Sequence, residues 1–450
     1  MNGEASGKNI IMVGAGLVGS LLSIYLQKRG NQVTLVEKRP DMRLAGSIGG
    51  RSINLALSNR GWRALKETGV AAQVEKLAIP MKGRMMHDPE GKLTFQPYGK
   101  EGQAIFSVSR AGLNQLLMNE AEQCGVNIYF NQDCESINFE ETIVFAKNNK
   151  NKTTQAFKGD VIIGTDGAFS VVRETIMKSG RFNYSQSYID HGYKELSIPP
   201  TKATAFALEP NALHIWPRGR FMLIALPNAD RSFTCTLFLP FEGEDSFSAL
   251  KSEKAIMDFF RSTFPDALPL IPALLDDYFR NPTSSLVTVK CYPWVKGNTL
   301  ILGDASHAIV PFYGQGMNSG FEDCYLLNKM IDTHRGNWKE ILARFQAVRK
   351  PDTDAIADLA IQNFLEMRDK VADENFLLRK RIEGRLNELY PQKWIPLYSM
   401  VTFSDIGYAR AMAVGKRQEA IMDEVMTKEN IRDTWQQLDF DEIVQKLTTD

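Results

Sequence analysis

Apolar residues crowd positions 8–13 without alternation, the pattern of a strand buried on both faces. Glycines follow at Gly14, Gly16 and Gly19, and positions 20–28 then return Leu21, Leu22, Tyr25 and Leu26 at helical spacing. A second apolar run, Val33-Thr34-Leu35-Val36, ends in Glu37. The predicted order is strand, tight turn, helix, strand. Two further buried strands are predicted downstream. Positions 161–163 run into Gly164-Thr165-Asp166-Gly167-Ala168, with Val172 and Arg173 opening a helix, and positions 299–302 run into Gly303-Asp304. Pro311-Phe312-Tyr313-Gly314-Gln315-Gly316-Met317-Asn318 then leads into a helix carrying Glu322 and Asp323. Between about 190 and 292, short apolar runs such as 221–226 and 234–239 predict a mostly antiparallel sheet, and from about 355 the pattern is helical to the end.

Positions 10–26 are almost wholly apolar, so a membrane helix or signal peptide is the first rival reading. The glycine spacing, the missing small-residue cleavage site and the direct continuation into a strand at 31–37 weigh against it. No other stretch is long and apolar enough to cross a bilayer, and a soluble, cytoplasmic chain is expected. Lys plus Arg number 53 and Asp plus Glu number 53, so no net field favours nucleic acid or anionic lipid, and the ligand is expected to be a small molecule. The five cysteines, Cys124, Cys134, Cys235, Cys291 and Cys324, form no Cys-x-x-Cys pair, which argues against a disulfide framework or thiolate zinc. His87, His191, His214, His307 and His334 lack metal-ligand spacing, and no metal is expected.

The glycine pattern carries the first chemistry. In such a unit the first glycine permits the tight turn, the second lets backbone approach a pyrophosphate, and the third lets helix and strand pack closely. The helix N-terminus turns free N–H groups and a favourable dipole towards the phosphates. Glu37 stands at the interval expected of a ribose-binding acid, which suits a free ribose hydroxyl and repels a ribose phosphate. The tightly held nucleotide is therefore FAD or NAD rather than NADP, and the fingerprint does not choose between them.

The ordered trio of fingerprint, 161–168 segment and Gly303-Asp304 with its glycine-rich sequel resembles the single-component FAD-dependent aromatic hydroxylases, the p-hydroxybenzoate hydroxylase fold. That resemblance implies an α/β architecture with a discontinuous Rossmann-like FAD domain at 1–75, 101–189 and 293–354. A substrate sheet at 76–100 and 190–292 and a helical region at 355–450 complete it. It places Asp304 on the ribityl chain and Met317 and Asn318 at the isoalloxazine. Further segments resemble the members that hydroxylate L-kynurenine: Gly50-Arg51-Ser52-Ile53-Asn54-Leu55-Ala56-Leu57-Ser58, His214-Ile215-Trp216-Pro217-Arg218, and the stretches 190–196, 232–238, 308–312 and 396–404.

This closer likeness implies that Arg84 and Tyr98 hold an amino-acid carboxylate and that Asn363 and Tyr398 also touch substrate. It implies FAD contacts from Val18, Val36, Glu37, Lys38, Arg39, Ala56, Arg110 and Cys134. The chain departs from the family pattern at Tyr313 and Cys134, and it ends before the apolar extension of the mitochondrial forms, as the bacterial type does. The chemistry so implied is reduction of FAD by NADPH and transfer of one oxygen atom from dioxygen to the ring of L-kynurenine, in tryptophan degradation and NAD biosynthesis. No protein group need act as a catalytic nucleophile. Phe238 and Phe312 are candidates for a dry wall around the reaction. A hydroxylase for another anionic aromatic, or a nucleotide-binding protein without turnover, uses many of the same residues.

Overall fold

The structure, a computed structural model, describes residues 7–44, 54–99, 102–201, 205–369 and 374–448. Positions 50–53 of the family-like segment 50–58 lie outside the described residues. A six-stranded sheet runs in the order Val295–Lys296, Thr299–Ile301, Val161–Gly164, Asn9–Val13, Gln32–Val36 and Asn127–Tyr129. All its pairs are parallel except the hairpin formed by the first two. Ile10, Ile11 and Met12 are buried, as the unalternating run requires of a strand covered on both faces. The helix Leu17–Lys28 crosses from this strand to its neighbour Gln32–Val36 and packs on Arg110–Gln123 and Gly316–Thr333.

The second layer is a seven-stranded sheet in the order Ser284–Tyr292, Asn183–Ile198, Phe233–Pro240, Met222–Pro227, Ala212–Pro217, Gly83–His87 and Leu93–Pro97. Its pairs are antiparallel except Ala212–Pro217 with Gly83–His87. Its long strand begins at Asn183, ahead of the expected boundary at 190. The two-residue period divides its faces. Phe233, Cys235, Leu237, Leu239, Leu223 and Ala225 pack against small helices that include Glu253–Thr263 and Leu274–Arg280. Met222, Ile224, Leu226 and Phe238 face the opposite way, into a cavity. Strand Phe233–Pro240 is buried throughout because both faces are covered.

The expected start of the helical region at 355 falls inside one helix, Trp338–Asp369, which carries Pro351 in its interior. Proline ordinarily breaks a helix. Here Arg349 and Thr353, on either side of it, are fully buried, so tertiary packing holds the helix through the proline. Among the described residues no helix is long and apolar enough to cross a membrane.

Candidate active site

One cavity of about 480 Å³ runs from the fingerprint turn to the cavity-facing side of the seven-stranded sheet. At its nucleotide end, Gly14 has φ +100°, and a Cβ there would stand 2.6 Å from the Thr165 carbonyl oxygen, so the turn requires glycine. Gly16 is different. Its backbone is extended at φ −73°, which any residue adopts, and a Cβ would meet nothing within 4 Å. What a side chain would fill there is the cavity itself. Gly16 is also the N-cap of Leu17–Lys28 and makes no side-chain cap, leaving the helix's first N–H groups free to meet an anion. An open cradle in front of uncapped backbone donors is what a dinucleotide pyrophosphate needs, and the residues present fit FAD.

Glu37 accepts hydrogen bonds from Ala15 N (2.8 Å), Arg39 N (2.9 Å) and Arg39 Nε (2.7 Å). Burial pushes its pKa up, but the bonds from Arg39 and Ala15 outweigh burial and leave it below the usual glutamate range. A charged acid is thus fixed on the wall beside Val36, Lys38 and Arg39, with Arg110 and Cys134 nearby on the same lining. Burial drives the Cys134 thiol up to about 12, so it is a neutral wall residue there.

On the opposite bank, Gly303 (φ +62°) turns the chain so that the exposed Asp304 carboxylate lines the cavity. The turn Pro311–Tyr313 and Gly314 (φ +65°) follow, then helix Gly316–Thr333, again without a side-chain N-cap. Val18, Ala56 and Met317 complete this part of the wall.

At the substrate end, strand Gly83–His87 carries Arg84 to the cavity. Its guanidinium carbon lies 5.0 Å from the Tyr398 ring centroid and 5.6 Å from that of Tyr98. The rings of Tyr98 and Tyr398 stack at 5.5 Å, and Tyr313 stacks on the far side of Tyr398 at 5.6 Å. Burial pushes all three phenols up in pKa, so each is a neutral donor. Tyr98 Oη is buried, has no partner at close hydrogen-bond distance, and interacts at longer range with Arg84 and the Tyr398 hydroxyl. Burial opposes the charge on Arg84, yet the flanking tyrosines keep its pKa above the ordinary value. Among the described residues no carboxylate pairs with Arg84. A cation without a counter-ion among the described residues and a neutral buried phenol beside it share one apolar chamber, an arrangement that calls for an anionic ligand.

Three expected site residues stand behind the wall, Gly19 in the packing role expected of the third glycine. Gly19 is a packing position, where a Cβ would run into the Gly14 carbonyl and Thr165 Oγ1. Asn318 braces the turn: Nδ2 donates to Ala56 O (2.8 Å) and Gly314 O (2.7 Å), while Oδ1 accepts from Ser58 N (2.9 Å). Asn363 Nδ2 donates to Phe312 O (2.7 Å) and so supports a wall residue from outside. The amides of Asn318 and Asn363 are thus committed, at least in part, to the carbonyls that shape the turn.

A buried charge cluster beneath the turn has no counterpart in the sequence reading. Glu322 takes Arg60 (2.6 Å), Arg63 (2.9 Å) and Arg349 (3.1 Å). Asp323 takes Arg349 (2.8 Å) and His307 (2.6 Å) and accepts Gly303 N at 3.0 Å. Arg60 Nε also donates to Val401 O (3.0 Å), which ties helix Leu397–Phe403, bearer of Tyr398, to the same hub. Burying this many charges is tolerable only because each is paired. The adjacent acids Glu322 and Asp323 in a buried helix were the one available signal; Arg60 and Arg349 carry no local mark.

Comparison with known proteins accords with this geometry. The FAD binding domain family model matches residues 8–360. Kynurenine 3-monooxygenase of Flavobacterium johnsoniae is 50% identical over 427 residues, covering 95% of each chain. The enzyme of that name from Christiangramia forsetii is 46% identical over 98% of each chain, and that from Sus scrofa 44% identical over 92% of this chain and 88% of its own. Among solved structures, tetrameric 2-methyl-3-hydroxypyridine-5-carboxylic acid oxygenase superposes with a TM-score of 0.67 at 18% identity, over 81% of this chain and 94% of its own. Tetracycline destructase Tet(55) gives 0.63 at 19%, over 89% and 97%. These last two likenesses speak for the fold alone.

Proposed function

This chain belongs to the kynurenine 3-monooxygenase family, and we propose that Arg84, Tyr98 and Tyr398 hold L-kynurenine in the apolar end of its FAD cavity. The reaction is hydroxylation of L-kynurenine to 3-hydroxykynurenine with NADPH and dioxygen. When bound, FAD supplies the redox chemistry, carrying electrons from NADPH and activating dioxygen. Gly14, Gly16 and Val18 would hold its pyrophosphate, Glu37 its adenosine ribose and Asp304 its ribityl chain, while Ala56 and Met317 border the ring.

The remaining work falls to this chain's own side chains. Arg84 offers a planar, permanently charged fork to the amino-acid carboxylate, and the neutral Tyr98 hydroxyl beside it adds a donor. Anchoring that end fixes how far the aromatic ring reaches along the cavity. Tyr398, stacked between Tyr98 and Tyr313, limits its sideways movement. Met222, Ile224, Leu226, Phe238 and Phe312 surround the ring with hydrocarbon and keep water from the reacting atoms. Asn363 acts one step back, by holding the Phe312 carbonyl.

The observation that carries this reading is the continuity of one cavity from the Gly16 cradle to Arg84, for which the described residues supply no carboxylate partner. The test is a substrate screen. The purified yellow protein is assayed for NADPH oxidation and hydroxylated product with L-kynurenine and other anionic aromatics. Product formation with L-kynurenine supports the assignment; turnover with a different anionic aromatic alone would replace it.

A further inference from the structure

Tyr408 is buried and lies outside the cavity wall, yet its hydroxyl donates to Gln315 Oε1 at 2.9 Å. Gln315 lines the cavity and is the N-cap of helix Gly316–Thr333, between the glycines that shape the flavin-facing turn. With Oε1 engaged from behind, the amide nitrogen is the end left to face the cavity. Tyr408 is itself gripped on two sides. It opens helix Tyr408–Met426, whose next N–H, from Ala409, donates to Asp352 Oδ1 at 2.9 Å. The guanidinium carbon of Arg60, bonded to Glu322, lies 4.0 Å from the centre of its ring. Burial also keeps the phenol neutral at any working pH, so the donor is permanent.

We propose that Tyr408 is a positioning residue for the reaction: held by Asp352 and Arg60, it fixes the Gln315 amide so that its N–H donors point into the cavity. The C-terminal helical region thereby sets the polarity of the flavin-facing turn, in addition to supplying Tyr398. Without the phenolic hydroxyl, a buried carbonyl oxygen loses its donor and the amide turns to find another. The inference rests on the functional reading above, but its consequences separate from it.

The experiment compares FAD-loaded wild type, Tyr408→Phe, Gln315→Ala and the double variant. Four quantities are read: FAD content, L-kynurenine affinity by calorimetry, the peroxide-to-product ratio, and deuterium uptake at residues 311–320. Tyr408→Phe is expected to keep FAD while exchange in that segment and the peroxide share both rise several-fold, about the worth of one neutral hydrogen bond. Because the effect passes through Gln315, Tyr408→Phe should add nothing in the Gln315→Ala background. If Tyr408→Phe folds poorly, Gln315→Met, which removes the same bond from the other side, should give the same rise in peroxide. Unchanged exchange and partition, or full additivity of the two substitutions, would overturn the proposal. A wild-type enzyme that fails to hydroxylate kynurenine would count against the functional reading instead, and the exchange data would still decide the role of Tyr408.

Discussion

Replacing Arg84 with methionine removes a cation that no carboxylate among the described residues neutralises and keeps much of its apolar bulk. The native guanidinium lies near the Tyr398 and Tyr98 rings with no acid beside it among the described residues, so its loss strands no carboxylate there. FAD retention and folding should therefore survive. A charge-assisted hydrogen bond contributes about 1.5–3 kcal/mol, so the kynurenine dissociation constant should rise roughly ten- to a hundredfold. Arg84→Lys keeps the charge and loses the planar fork, and should fall between wild type and methionine. The assay is titration of flavin absorbance with L-kynurenine, repeated with its decarboxylated amine. Wild type should discriminate strongly between the two ligands and Arg84→Met hardly at all. Equal discrimination by both proteins would mean that Arg84 does not meet the carboxylate, and the chamber assignment would fall with it.

Gly16→Val should yield protein that does not retain FAD, because a side chain there occupies the open cradle without straining the backbone; stoichiometric flavin in that variant would refute the pyrophosphate assignment. Tyr398→Phe and Asn363→Ala should keep FAD but send a larger share of NADPH to peroxide, since a displacement of about 1 Å costs on the order of a hundredfold in transfer rate. Normal coupling in both would remove the Tyr398 hydroxyl and the Asn363 amide from substrate alignment. Acid should destabilise the substrate sheet through His214, whose pKa burial lowers to about 4. The unfolded chain then binds the extra proton first, so stability is full above the ordinary histidine value of about 6.5 and falls as pH drops from there to about 4. A stability-against-pH slope in that window no shallower in His214→Gln than in wild type would contradict this.

The nucleotide half was legible because its chemistry is local: strand, glycine turn, helix, strand and terminal acid all lie between Asn9 and Glu37, and each piece has its own pattern. The apolar cavity wall was partly legible, since Phe238 on the second sheet and Phe312 in the Pro311–Tyr313 turn were marked by bulk; Met222, Ile224 and Leu226 join it only through register with Phe233–Pro240. Arg84, Tyr98 and Tyr398 are scattered over some three hundred positions, and only family likeness singled them out. Asn318 and Asn363 show the limit of that route: likeness located them near the site, and their hydrogen bonds brace the carbonyls behind the wall. Of the Arg60, Arg349, Glu322 and Asp323 hub only the paired acids left a trace, because a charged residue in sequence reads as a solvated one. Burial with mutual pairing is a tertiary fact.

The most direct test of the account is the fate of oxygen. The FAD-loaded protein is incubated with L-kynurenine, NADPH and isotopically labelled dioxygen, and the product is identified by mass spectrometry and chromatography. The account predicts 3-hydroxykynurenine carrying one labelled oxygen atom, with NADPH consumed in near-equal amount. Hydroxylation elsewhere on the molecule, label drawn from water, or NADPH oxidation that leaves kynurenine unchanged would contradict it.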